Sequence, residues 1–214
     1  MELDTSGISC CFDEESPKMV KDYRDKGLGF TSKAIMTALL SRGLAGSTVL
    51  ELGFGPGALT VELIKNGAAS AVGIDLSPKM VEAARTLASQ VGLSGSTSFR
   101  LGDGAKEFLP PSDIVVLDTV ICCYPNPEAL IDNSSSASRR FYAITIPDDR
   151  RPLTRLLRRL LPLQRLGLRG KSFRFFIHPT RPLITRLHDK GLELIHESKA
   201  GWIWSVLVFA PASA

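Results

Sequence analysis

The sequence has no run approaching the roughly 20 consecutive apolar residues that a membrane-spanning helix needs, and its first residues, with Glu2, Asp4 and Cys10-Cys11, lack the basic-then-apolar layout of a secretory leader. A cytosolic setting is therefore expected. Cysteine is scarce, with four residues in two adjacent pairs, Cys10-Cys11 and Cys122-Cys123. Neither pair has the C-x-x-C spacing of a zinc or redox centre, and sequence neighbours make poor disulfides with each other. Both pairs are expected to be packing or incidental thiols. His178, His188 and His196 are too scattered for a ligand set, so no metal site is expected. Aromatics are 7% of the chain and no nucleic-acid recognition module is legible, which sets nucleic acid aside as a partner.

What is present is the composition of a folded protein: 214 residues, 44% hydrophobic and 22% charged, enough for one domain over 1–214. The formal charge of +4 hides a division. Residues 1–138 hold 11 Lys and Arg against 17 Asp and Glu, whereas residues 139–214 hold 15 against 5. The acidic and basic parts should have different jobs.

Residues 47–54 are a short apolar run ending in glycines, followed by Ala58 to Lys65 with Leu59, Leu63 and Ile64 at helical spacing: strand, Gly-rich turn, helix. The alternation repeats. Residues 71–75 are a second strand; Ser77-Pro78 opens a helix as N-cap and first-turn proline; residues 97–101 are a third strand with a short helix near 105–108. Residues 113–119 lack polar alternation, as expected of a parallel strand covered on both faces, and 140–146 make a fifth. After a helix at 182–190, apolar strands at 192–198 and 203–210 are joined by only four residues, which permits a hairpin and excludes a helical crossover. A helix over 31–44 precedes the first strand, and 1–30 is a polar lead-in or cap with a short helix at best. The expected fold is α/β and Rossmann-like: seven strands, mostly parallel, helices on both faces, and an antiparallel C-terminal hairpin.

The strongest chemical signal is Glu51-Leu52-Gly53-Phe54-Gly55-Pro56-Gly57, with Asp75 ending the next strand. Alternate glycines let backbone turn sharply against a ligand, and an acid at the end of the second strand can accept both hydrogen bonds of a ribose diol. Gly53-x-Gly55-x-x-Ala58 with Asp75 also satisfies the looser dinucleotide fingerprint, so an NAD(P)-dependent oxidoreductase is one alternative. Three features weigh against it: Glu51 puts negative charge where a pyrophosphate would lie, Pro56 removes a backbone donor, and the terminal hairpin is foreign to the simplest dinucleotide domains. An acid there suits a cationic cofactor, and S-adenosylmethionine carries a sulfonium, an ammonium and no phosphate.

Over roughly residues 31–210 the sequence resembles the class I S-adenosylmethionine-dependent methyltransferases, on Glu51 to Gly57, Asp75, the loop Gly102-Asp103-Gly104, and Asp118. The resemblance implies a methyltransferase using S-adenosylmethionine. It places the glycine loop at the methionine end, Asp75 at the ribose hydroxyls and Asp103 at the adenine amino group, and implies a cofactor-binding set of Glu51, Gly53, Phe54, Gly55, Gly57, Asp75, Leu76, Met80, Asp103, Gly104 and Asp118. Asp118 opens the loop between cofactor and acceptor. A partial resemblance to magnesium-protoporphyrin methyltransferases covers Asp113 to Pro125 and the basic segment beyond, where Cys123 stands in place of a histidine.

The acceptor is then expected near the end of the fourth strand, with Cys123 and Tyr124 facing it and Asp118, Tyr124 and His178 as candidate proton acceptors. Residues 147–178 make a basic inserted lid in which Leu153, Leu156, Leu157, Leu160 and Leu161 form one stripe and Arg155, Arg158 and Arg159 lie mostly elsewhere. A solvated helix face, arginines meeting an anionic small-molecule acceptor, and peripheral membrane contact all fit this pattern. A non-catalytic cofactor-binding or membrane-associated module is the alternative from a different class.

Overall fold

The structure is a computed structural model, and it describes residues 6–160 and 175–212. Seven strands form one sheet in the order β3-β2-β1-β4-β5-β7-β6. They are β1 (Thr48–Leu52), β2 (Ser70–Asp75), β3 (Thr97–Leu101), β4 (Ser112–Leu117), β5 (Ser138–Pro147), β6 (Leu192–Ala200) and β7 (Trp204–Pro211). The first five run parallel; β7 is antiparallel to both β5 and β6, so the expected hairpin inserts its second strand beside β5.

Period-two alternation assigns the faces. Leu50, Leu52, Val115, Leu117 and Ile144 pack with Leu130 and Ile131 of α5 (Pro127–Ser136) and Leu183 and Leu187 of α7 (Thr180–Asp189). Val49, Ile114, Val116 and Ala143 pack on the opposite face against Ile35 and Leu39 of α2 (Phe30–Leu40) and Leu59 and Leu63 of α3 (Ala58–Lys65). A third cluster joins Phe54, Val61 and Phe99 to Met80, Val81 and Ala84 of α4 (Pro78–Gln90). The Ser77 hydroxyl caps α4 by accepting from the Met80 N–H at 3.1 Å, with Pro78 at its first position.

Several local expectations are corrected. The polar lead-in contains a 21-residue helix, α1 (Ser6–Lys26), which runs through Pro17 and packs on α4. Its few apolar residues give little periodicity. What holds it is tertiary: the Tyr23 hydroxyl donates to Glu62 at 2.7 Å and Arg24 to Gln90 at 3.1 Å. Residues 104–107 are a turn rather than a helix, closed by the Asp103 carboxylate accepting from the Ala105 N–H at 3.0 Å and cut short by Pro110-Pro111. The serine tract at 134–136 ends α5; Ser134 is buried and bonds the Tyr142 hydroxyl at 2.8 Å. In α6 (Pro152–Leu160) Thr154 is the buried side, and Leu153, Leu156 and Leu160 are exposed. The part of the expected lid at 161–174, including Leu161, lies outside the described residues. No helix among the described residues is long and apolar enough to cross a membrane.

The turn from β1 into α3 constrains the chain most. Gly57 has φ +78°, and a Cβ there would lie 2.7 Å from the Ala84 Cβ on α4. Gly57→Ala combines left-handed strain with overpacking between two helices and should cost about 2–4 kcal/mol, read as a lowered urea midpoint; an unchanged midpoint would reject this origin of the close α3–α4 packing.

Candidate functional site

The carboxyl ends of β1, β2, β3 and β4 surround a cavity. Its floor is Gly53, Gly55, Asp75, Gly102 and Gly104; Leu52, Ile74, Leu76, Val120 and Leu130 supply apolar wall; Asp118, Thr119, Cys123 and Tyr124 close the far side; and α1 covers it with Phe12 and Met19. A mostly apolar lining with a few convergent polar groups is that of a small-ligand site.

Asp75 organises the floor. One carboxylate oxygen accepts from the Gly55 N–H at 3.0 Å and the other from the Ser77 N–H at 2.9 Å. Burial raises its pKa to about 6, and these backbone donors work against the rise. Beneath it, the Gly53 N–H donates to the Ile74 carbonyl at 2.8 Å. Gly53 has φ +64°, and a Cβ there would lie 2.5 Å from Val120, so the loop must be glycine to pass under the Val120 turn.

Asp103 sits between two cavity-lining glycines. Its Oδ1 accepts from the Tyr124 hydroxyl at 2.9 Å, whereas its buried Oδ2 has no hydrogen-bond partner and only a distant ion pair with Lys106 at 3.8 Å. A buried carboxylate oxygen left unmatched beside a cavity is the place for a ligand donor.

At the other end, Asp118 is held by three hydroxyls: Ser32 at 2.5 Å, Thr145 at 2.7 Å and Thr31 at 3.4 Å. Burial raises its pKa, opposed by those donors. Thr145 also accepts from the Thr119 N–H at 2.7 Å, and Thr119 has φ 59°, a left-handed conformation that is uncommon for a β-branched residue. Both Cys122 and Cys123 donate to the Thr119 carbonyl, at 3.1 and 3.3 Å, and their sulfurs lie 3.8 Å apart as free thiols.

The structure therefore brings Gly53, Gly55, Asp75, Leu76, Gly104, Asp118, Cys123 and Tyr124 to one cavity, with Asp103 at its edge. It does not bring the rest. Phe54 turns into the core against Phe99, with ring centroids 4.8 Å apart, and Met80 is fully buried beside it. Glu51 faces α3, where it accepts from the Thr60 hydroxyl, and burial pushes its pKa up to about 8. It is mostly uncharged at neutral pH, so the negative charge expected beside the loop comes from Asp75 instead. Gly57 serves packing rather than lining. His178 lies outside the cavity; its Nε2 meets the Tyr124 carbonyl at 2.8 Å, its ring stacks on Phe176, and burial lowers its pKa. Tyr124 is a donor rather than a base: burial, and then the neighbouring Asp103, raises its pKa. Arg155, Arg158 and Arg159 are not part of the cavity wall, and Arg158 is paired with Asp149 at 2.8 Å. Thr31, Ser32, Thr145, Phe12 and Met19 carry no motif, and only the fold brings them here.

Residues 49–147 match the family model described as a methyltransferase domain. Among curated relatives, a ribosomal protein L11 methyltransferase of Erwinia tasmaniensis is 36% identical over 95 residues, 42% of this chain and 32% of that protein. A magnesium-protoporphyrin O-methyltransferase of Rhodobacter capsulatus is 34% identical over 109 residues, 51% of this chain and 46% of that protein. The chain thus spans about a third to a half of the length of these relatives. Among solved structures, the magnesium protoporphyrin IX methyltransferase of Synechocystis PCC 6803, crystallised with SAH, superposes with a TM-score of 0.77 at 20% identity, covering 98% of this chain and all of that one. The fold is that of the class I methyltransferases, with the reversed last strand.

The buried Glu51 has a measurable consequence. Its folded pKa, about 8, lies above the unfolded value near 4.5, so its contribution is greatest below pH 4.5 and is lost as pH rises toward 8. Glu51→Gln should raise the thermal midpoint at pH 8 relative to the parent and leave it nearly equal at pH 5; parallel pH profiles for the two proteins would contradict the buried, protonated state.

Proposed function

With a methyltransferase domain across residues 49–147, we propose that this protein transfers the methyl group of S-adenosylmethionine to a small-molecule acceptor. One observation carries the choice of cofactor. The Gly55 N–H, which a pyrophosphate-binding loop would aim at phosphate, is spent on the Asp75 carboxylate. An anionic phosphate is disfavoured beside that carboxylate, whereas a cationic nucleoside that offers a ribose diol is favoured. The unmatched Oδ2 of Asp103 supports the fit, because it awaits a donor of the kind an adenine amino group provides. The NAD(P) alternative loses its phosphate donor by the same geometry.

The bound cofactor would supply an electrophilic methyl group, and the chain's own residues orient and enclose. Asp75 and Asp103 would fix the nucleoside, with Tyr124 holding Asp103 in place. Phe12 and Met19 of α1 keep water from the floor. Alignment and desolvation of this kind can supply roughly 7–11 kcal/mol of barrier reduction. Asp118 anchors the acceptor-side loop: its oxygens hold Ser32, Thr31 and Thr145, so it ties α2 and β5 to the cavity rim. His178 positions Tyr124 through its carbonyl.

Support for a small acceptor comes from the superposition over the whole chain on a porphyrin methyltransferase and from the apolar wall of the cavity. A protein acceptor is the second reading, favoured by the ribosomal-protein methyltransferases among the relatives. Release of S-adenosylhomocysteine in a screen of small acceptors and ribosomal proteins separates the two, and binding without turnover on any of them would leave a non-catalytic module. In calorimetry S-adenosylhomocysteine should bind and Asp75→Ala should weaken it about ten- to a hundredfold, as for one lost hydrogen bond to a charged group. Binding of NADH with none of S-adenosylhomocysteine would reject the assignment.

A further inference from the structure

We propose that the face built from α6, the β6–β7 turn and the start of α2 docks on an anionic lipid bilayer. Five large apolar side chains are exposed there. Trp202 at the turn is 87% accessible, Phe30 57% and Leu156 53%, with Leu153 and Leu160 on either side of Leu156 along α6. They form a continuous surface. The Phe30 ring lies against Gly201, where a Cβ would be 3.2 Å from it. Trp202, Gly201, Lys199 and Leu153 share one shallow groove. Leu153, Leu156 and Leu160 then follow at intervals of three and four residues on one side of the helix. A contiguous group of exposed large apolar side chains marks an interaction surface.

The face is held rigidly from below. Arg151 donates to the Gly201 and Trp202 carbonyls at 3.0 and 3.3 Å and to the Ser205 hydroxyl at 2.9 Å, pinning the turn to the base of α6. Thr154 is buried beneath.

Charge identifies the occupant. Three of the cations nearby are already neutralised: Arg150 by Asp148 and Glu197, Arg151 by Asp148, Arg158 by Asp149. Arg155 reaches only the backbone carbonyls of Asp149 and Arg150, at 3.5 Å, and Arg159 and Lys199 have no acidic partner among the described residues. A tryptophan and leucines beside uncompensated cations match the interface of a bilayer, where indole and aliphatic chains enter the acyl boundary and cations meet phosphate headgroups. The surface also adjoins the cavity, since Ser32, two residues beyond Phe30, bonds Asp118 at its rim. Docking would therefore present the acceptor side to molecules dissolved in the membrane; this last consequence rests on the methyl-transfer reading, whereas the docking does not.

The test is flotation of the full chain, without cofactor, with phosphatidylcholine vesicles that either contain or lack phosphatidylglycerol. The protein should float with the anionic vesicles at low salt, be released by salt, and not float with phosphatidylcholine alone. Lys199→Gln and Arg159→Gln should each weaken binding about fivefold. The Trp202→Ser, Leu156→Ser double variant, changed only at exposed positions, should lose it. An independent reading is the fluorescence of the unaltered protein, which should shift to the blue on anionic vesicles, a shift absent from Trp202→Phe. Absence of flotation at low salt, equal binding to both vesicle types, or flotation unchanged in the double variant overturns the proposal, as does a dimer dispersed by Trp202→Ser that ignores vesicles.

Discussion

The Asp75 carboxylate is the tie on which the rest of the site depends. By accepting from Gly55 on one side and Ser77 on the other, it locks the turn after β1 to the turn after β2. Those turns set the starts of α3 and α4, and the two helices meet where Gly57 leaves no room for a Cβ against Ala84. Cavity floor and helix packing are thus one mechanical unit. The Ser77 hydroxyl extends it to α1, by donating to Asp13 at 2.5 Å, so the helix that covers the cavity is fastened to the residue that caps α4.

A second tie forms the opposite wall. Asp118 gathers hydroxyls from α2 and β5, and Thr145, by accepting from the Thr119 N–H, supports a backbone conformation that a threonine adopts at a cost. Strain of this kind persists only where the surroundings over-determine it, and it is concentrated at working sites. Here it aims the loop that carries Cys123 and Tyr124 into the cavity. The two ties differ in character: the first joins a carboxylate to backbone amides beside glycines, the second joins a carboxylate to side-chain hydroxyls brought from 86 residues upstream and 27 downstream.

That difference explains what the sequence made legible. The alternation of strands and helices, the terminal hairpin, the glycine turn and Asp75 are encoded in short-range pattern, and apart from the helix expected near 105–108 they appear where expected. Phe54, Met80 and Glu51 sit inside the same motifs yet leave the cavity, because alternation along β1 turns Glu51 toward α3 and because Gly73 makes room for the Phe54 ring. Motif membership identifies a neighbourhood, and side-chain direction decides the contact. Ser32, Thr31 and Thr145 could not be singled out, since isolated hydroxyl residues acquire meaning only through long-range packing. Helix α1 was hidden for a related reason: its stability comes from partners on α3 and α4 rather than from its own periodicity. The arginine and leucine stripe was legible as a pattern, but its outward direction was not, and that direction moves it from the acceptor pocket to the outer surface.

The charge division along the chain now has a spatial counterpart. Acidic groups of the first part, Asp75, Asp103 and Asp118, stand around the cavity, while Arg159 and Lys199 of the second part, without an acidic partner among the described residues, lie on an external face beside it. On the methyl-transfer reading the cavity at the ends of β1 to β4 receives an adenosyl sulfonium cofactor. Hydrogen–deuterium exchange with and without S-adenosylhomocysteine tests it most directly. Protection should appear together at the backbone of residues 52–57, 75–77, 102–104 and 119–124; protection confined elsewhere, or none at saturating ligand, would contradict it.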